Sequence, residues 1–87
     1  MAYTIRANNK EYTVSTHAAS RMLQRYITED IVIDTLENGA MIEQSHGTDV
    51  YEHEIYDETL EGVVVVRVVV DEESRTIMSV IDDTGGD

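Results

Sequence analysis

The sequence predicts an α+β domain with a single helix-covered sheet, and three observations lead there. Two neighbouring stretches, 17–26 and 29–38, carry helical spacing and their own capping residues. Four short apolar stretches with strand spacing follow, with no helical pattern between them, and a strand-turn-strand pattern precedes the helices. Strands and helices segregated along the chain mark α+β rather than alternating α/β. The expected architecture is therefore an N-terminal β-hairpin or strand, two helices, and then an antiparallel meander sheet with the helices on one face.

The opening hairpin rests on Tyr3 to Arg6 and Glu11 to Val14, with Ala7-Asn8-Asn9-Lys10 as the turn, because Asn tolerates left-handed backbone angles. Ser15 or Thr16 then caps a helix over His17 to Tyr26, its hydroxyl accepting from an otherwise orphaned amide. Ala18, Ala19, Met22, Leu23 and Tyr26 gather on one side of that helix. Thr28 caps the second helix, where Glu29 and Asp30 suit the positive end of the dipole and Ile27 and Val32 occupy staple positions. Asn38-Gly39 ends it, read as a left-handed C-terminal cap.

The four later strands are Met41 to Ser45, Val50 to Tyr56, Val63 to Val70 and Thr76 to Ile81. Turn signals at His46-Gly47-Thr48-Asp49, Asp57 to Gly62, and Asp71-Glu72-Glu73-Ser74 separate them, so neighbours in sequence should pair. In the third strand Val64, Val66, Val68 and Val70 share one face, and Val63, Val65, Arg67 and Val69 the other. Apolar on both sides, it is expected to be central. Tyr51, His53 and Ile55 share a face that either meets the core or marks an interface, opposite Val50, Glu52, Glu54 and Tyr56. A single domain over residues 1–82 is expected, with 83–87 a flexible acidic tail.

Composition narrows the function classes. With no cysteine there is neither a disulfide framework nor a thiolate site. Residues 1–6 lack the features of a signal peptide, and the Val63 to Val70 run is short and broken by Arg67, so a cytoplasmic protein outside the membrane is expected. Eighteen acidic residues face six basic ones, a net charge of -12, which disfavours unspecific attraction to nucleic acid. Lys10 is the one lysine, and the acid-rich, lysine-poor balance resembles proteins of salt-loving microbes. At about 1 M salt the screening length falls to about 3 Å, which weakens the charge argument against a phosphate backbone.

Against this background His17, Arg21 and Arg25 stand at i, i+4 and i+8, one positive stripe along the first helix. Arginine offers a planar fork of donors for a phosphate, and histidine moves a proton near neutral pH. The bland alternative is a stripe closed by carboxylates that serves folding or dimerisation. His46 and His53, near Glu43, Glu52 and Glu54, follow no metal-ligand spacing, and neither a metal nor a cofactor is expected. No phosphate-binding glycine loop or catalytic serine pattern occurs either.

The segment His17-Ala18-Ala19-Ser20-Arg21-Met22-Leu23-Gln24-Arg25-Tyr26-Ile27, followed by Thr28-Glu29-Asp30, resembles a widespread domain family of unknown function. Members of that family carry H-A-x-x-R-M-x-x-R-x-I before an acidic helix start. The family in turn looks related to the compact ribonucleases of the barnase and RelE type, many of them toxins. The resemblance implies a metal-independent ribonuclease site with His17, Arg21 and Arg25 on the helix and Arg67 meeting them from the sheet. The last strand, Met78-Ser79-Val80-Ile81-Asp82, departs from the Thr-x-Tyr-like ending of the family and keeps only Ser79 as a polar candidate. RNA is the partner this reading implies. The rival is a non-catalytic acidic module that binds a protein partner, as an antitoxin, inhibitor or nucleic-acid mimic would, and a homodimer is compatible with either.

Overall fold

The computed structural model describes residues 3–58 and 61–84. Its elements are β1 (Tyr3–Ala7), β2 (Lys10–Val14), α1 (Thr16–Arg25), α2 (Glu29–Asn38), β3 (Ala40–Ser45), β4 (Thr48–Asp57), β5 (Gly62–Asp71) and β6 (Thr76–Thr84). They form one six-stranded sheet in the order β1-β2-β6-β5-β4-β3. The strands from β3 to β6 pair as the expected antiparallel meander. The opening hairpin joins the meander through a short parallel pairing of β2 with β6, Thr13 beside Thr76 and Val14 beside Ile77. There the Thr13 amide donates to the Arg75 carbonyl at 2.9 Å and the Ser15 amide to the Ile77 carbonyl at 3.2 Å. The sheet is thus mixed, and β5 lies in its interior as its two apolar sides suggest.

Local chemistry explains most boundaries. The β1–β2 turn is the two-residue pair Asn8-Asn9, with φ of 54° and 62°, the left-handed geometry that matches the twist of a hairpin. Asn8 does more than turn the chain: its side-chain amide donates to the Leu36 carbonyl at 2.9 Å, satisfying an orphan acceptor at the end of α2. Ser15 caps α1, its hydroxyl accepting from the Ala18 amide at 3.0 Å, and Thr28 caps α2 by accepting from the Ile31 amide at 3.3 Å. Tyr26 ends α1 in the left-handed region, φ 57° and ψ 35°, and the Ile27 amide returns to the Met22 carbonyl at 2.9 Å. A bulky residue with that backbone costs about 1 kcal/mol relative to glycine.

Gly39 departs from the expected left-handed cap. Its φ is -76° and ψ 171°, ordinary extended backbone. The reason for glycine is steric: a Cβ would lie 2.5 Å from the Thr35 carbonyl oxygen and 2.7 Å from that of Glu52. It is the point where α2 hands the chain to β3 against the backbone of β4. The β3–β4 turn is likewise tighter than expected, only His46-Gly47 with φ of 53° and 83°, so Thr48 and Asp49 belong to β4. At the C-terminus β6 continues through residues 83 and 84, which the sequence assigned to the tail; the remaining tail, 85–87, lies outside the described residues.

Both helices pack on one face of the sheet, α1 along β6 and α2 across β1, β4 and β5. The core between them takes Ile5, Tyr12, Val14, Met22, Val32, Leu36, Val66, Val68, Val70, Ile77 and Val80. Thr35, fully buried within α2, satisfies its hydroxyl by donating to the Ile31 carbonyl at 2.8 Å. The apolar side of α1 is only partly used. Ala18 and Met22 are buried, but Leu23 is 80% and Tyr26 90% exposed, because no described element lies over that end of the helix.

Candidate functional site

Between Glu11 and Glu29 the chain has no acidic residue, although it has 18 overall. That stretch contains the whole of α1. Helical spacing of about 6 Å per four residues then sets His17, Arg21 and Arg25 in a row. His17 sits in the first turn, and Arg25 in the last, where a cation complements the helix dipole. Among the described residues, neither His17 nor Arg21 has a carboxylate partner.

Arg25 lies at the rim of a cavity of about 620 Å³ between the α1–α2 corner and the ends of β4, β5 and β6. Its inner wall is aliphatic, with the buried Ile27 and Val66 beside Ile31, Ile55 and Val64. The strongly exposed Tyr26 and Tyr56 stand at its edge, together with Glu58 and Asp82. Arg25 Nη1 is 3.3 Å from Asp82 Oδ1, with the arginine side chain 51% and the aspartate 15% exposed. That oxygen is buried and makes no hydrogen bond, so the contact supplies charge without an aligned N–H···O interaction. Asp82 reaches this position because it is a β6 residue paired with Val66, on the same face as Val80.

Arg67 does not meet the stripe. It alternates with the buried Val66 and Val68 on β5, so it points from the uncovered face of the sheet. There its Nε donates to Glu52 Oε2 at 2.7 Å, across the β4–β5 register that sets the two residues side by side. The convergence expected of the helix residues with Arg67 is thereby corrected: pleating puts the sheet itself between them. Ser79, opposite Val69, is also on the uncovered face. His53 faces the helices with Tyr51 and Ile55, and its Nε2 lies 3.1 Å from Asp34 Oδ2 on α2. His46 occupies the β3–β4 turn. Among the described residues no group of three or more His, Asp or Glu side chains is arranged to hold a metal ion.

A second polar cluster sits at the opposite end of β4. Asp49 is 3% exposed, with Oδ1 making no hydrogen bond, and Tyr51 donates its hydroxyl to Glu72 Oε2 at 3.4 Å. Burial, then the neighbouring Asp49 carboxylate, raises the Glu72 carboxyl above its ordinary value, opposed by Lys10. Burial and the Glu72 charge push the Tyr51 hydroxyl up to about 12. The same turn is tied down by the Glu72 amide, which donates to the Gly47 carbonyl at 3.0 Å.

Sequence alone did not reveal Asp82 as the Arg25 partner, the two cavity tyrosines or the proximity of Asp49 to Glu72. The acid-free stretch was a legible signal for the first region. The others depend on strand register. No helix is long and apolar enough to cross a membrane among the described residues. No curated protein and no solved structure shows significant similarity to the chain. Residues 14–82, from the end of β2 through most of β6, match a family described as a domain of unknown function, DUF4258. The chain belongs to that family.

Proposed function

We propose that the domain binds single-stranded RNA along α1, with Arg21 and Arg25 meeting phosphates and the rim tyrosines of the adjoining cavity stacking against bases. The observation that carries this reading is the acid-free helix whose His-Arg-Arg row runs into the cavity, in a chain that is acidic elsewhere. Arginine binds phosphate through paired N–H donors, and an exposed aromatic ring stacks on a base with little sequence preference. Tyr26 and Tyr56 offer such rings at the edge of the cavity that Arg25 also lines. The misaligned contact with Asp82 leaves Arg25 donors for an incoming phosphate oxygen. The α1 motif, read as that of a family related to compact ribonucleases, suggests the same class of ligand.

Binding is better supported than cleavage. Transesterification of RNA needs a base for the 2'-hydroxyl, an acid for the leaving oxygen and a cation for the developing charge. His17 supplies one proton-transfer group and the arginines the cation. Arg67 and Ser79, the other candidates, lie across the sheet.

The test is a titration of a short single-stranded RNA into the protein, followed by amide and histidine-ring NMR shifts, for wild type and Arg21→Ala. Saturable shifts along α1 and at Tyr56, weakened about tenfold by Arg21→Ala, are expected. Two phosphate contacts on a single strand predict a slope of about -1.4 for log affinity against log salt. No shift in α1 at either low or high salt overturns the reading. Turnover of the RNA, lost in His17→Ala, would restore the ribonuclease assignment.

A further inference from the structure

The face of the sheet turned away from the helices is not a solvated polar surface. Ile42, Val63 and Ile81 are each about half exposed on it, and Val50, Val65 and Val69 are only partly covered. A β-bulge between Met41 and Glu43 breaks the β3–β4 register beside Ile42. A shallow groove of about 470 Å³ runs there between Ile42, Glu43, Val50, Arg67, Val69 and Ile81. An aliphatic groove of this kind on a sheet, bordered by charge, marks an interaction surface.

The charge on this face says which occupant fits. Glu43, Glu52 and Glu54 share it through the β3–β4 and β4–β5 registers. The guanidinium of Arg67 is bound to Glu52, and Arg6 stands opposite Glu11 on β1 and β2 at the other edge of this face, leaving Glu43 and Glu54 to set the sign of the field near the groove. Stacking a second copy face to face would oppose glutamate to glutamate between two chains of net charge -12. A phosphate backbone is repelled for the same reason. We propose that the uncovered face docks a basic segment of another protein, whose aliphatic side chains fill the Ile42–Val69–Ile81 groove while its lysines or arginines meet Glu43 and Glu54. This surface is separate from the α1 site and does not depend on it. Apolar anchors supply the affinity of such an interface, and charge supplies orientation and encounter rate.

The probe is a synthetic peptide of alternating leucine and lysine, with a leucine and glutamate peptide of equal length as its counterpart, each titrated into the isotope-labelled full chain. Saturable shifts at Val50, Val69 and Ile81 with the basic peptide are expected, together with at least tenfold weaker binding of the acidic one. Val69→Lys should weaken the basic peptide at least tenfold by placing a like charge in the groove. Ile81→Asn, at a half-exposed position that does not perturb the core, should reduce binding severalfold through lost apolar contact. Equal binding of both peptides, or shifts confined to other surfaces, overturns the proposal. So does the absence of shifts at millimolar peptide. Sedimentation showing a dimer that Ile81→Asn converts to monomer would overturn it in favour of a second copy of this chain.

Discussion

Neighbouring residues of β5 have opposite surroundings. Val66, Val68 and Val70 are sealed beneath the helices, while Val65, Arg67 and Val69 line the uncovered face. Among the described residues each face holds an arginine–carboxylate pair: Arg25 with Asp82 under α1 and Arg67 with Glu52 on the open side. The covered pair sits at the rim of an apolar cavity with a misaligned contact, whereas the open pair is short and bridges two paired strands. Valine alone therefore does not say which face is core. What distinguishes them is what lies above, and the same residue type is sealed into the core on one side and left partly exposed on the other.

Substitution along β5 tests that difference most strongly. Val68→Ala should lower the unfolding free energy by about 2 kcal/mol, through lost burial and the cavity left behind, and Val69→Ala by less than about 1 kcal/mol. Urea unfolding of the two variants measures both, and equal losses would mean that the open face is packed in solution. Gly39→Ala tests the seam where α2 meets β4. Because the new methyl would press on two backbone carbonyl oxygens, a loss of about 1–3 kcal/mol is expected, read by thermal unfolding.

The two ion pairs should then separate. Arg25→Ala leaves Asp82 mostly buried without a cation, yet half of the arginine is exposed and water screens what remains. A loss of roughly 1 kcal/mol follows. Glu52→Gln, removing charge from a pair at the surface while keeping an acceptor, should cost no more than a few tenths of a kcal/mol. A larger loss for Glu52→Gln would reverse the ranking of the two faces.

The smallest effect concerns the far end of the covered face, where Glu72 has a carboxylate neighbour instead of an arginine. Its folded pKa is raised above the ordinary 4.5, so the folded state holds this proton more tightly than the unfolded chain. The resulting stabilisation is complete below the ordinary value and is lost as pH rises through the raised one. Glu72→Gln should remove that part of the pH dependence. Stability profiles of the wild type and this variant between pH 4 and 7 measure it, and parallel curves would show that the Glu72 carboxyl is not raised in the folded state.

Capping and turn chemistry make much of the fold legible in the sequence. Ser15, one of the two expected caps, and Thr28 start the helices, and Asn8-Asn9 closes the hairpin, because each of these signals acts within a few residues of itself. Gly39 shows the limit of that reading. Its position at the helix end was right, but the reason lay in Glu52, thirteen residues on, whose carbonyl leaves no room for a side chain. For the site, the stripe of His17, Arg21 and Arg25 follows from helical spacing, whereas Asp82 and Tyr56 enter it only through the β4–β5–β6 register.

By itself, the sequence determined the element order, the two helix starts, the positive row on α1 and the alternation of side chains along β5. Tertiary structure decided that β2 joins β6 in parallel, that α1 lies along β6, and therefore which of the two apolar faces of β5 is covered. The physical reason is that alternation assigns residues to two faces without ranking them. The ranking comes from where the helices dock, and docking put His17, Arg21 and Arg25 on one side of the sheet and Arg67 on the other.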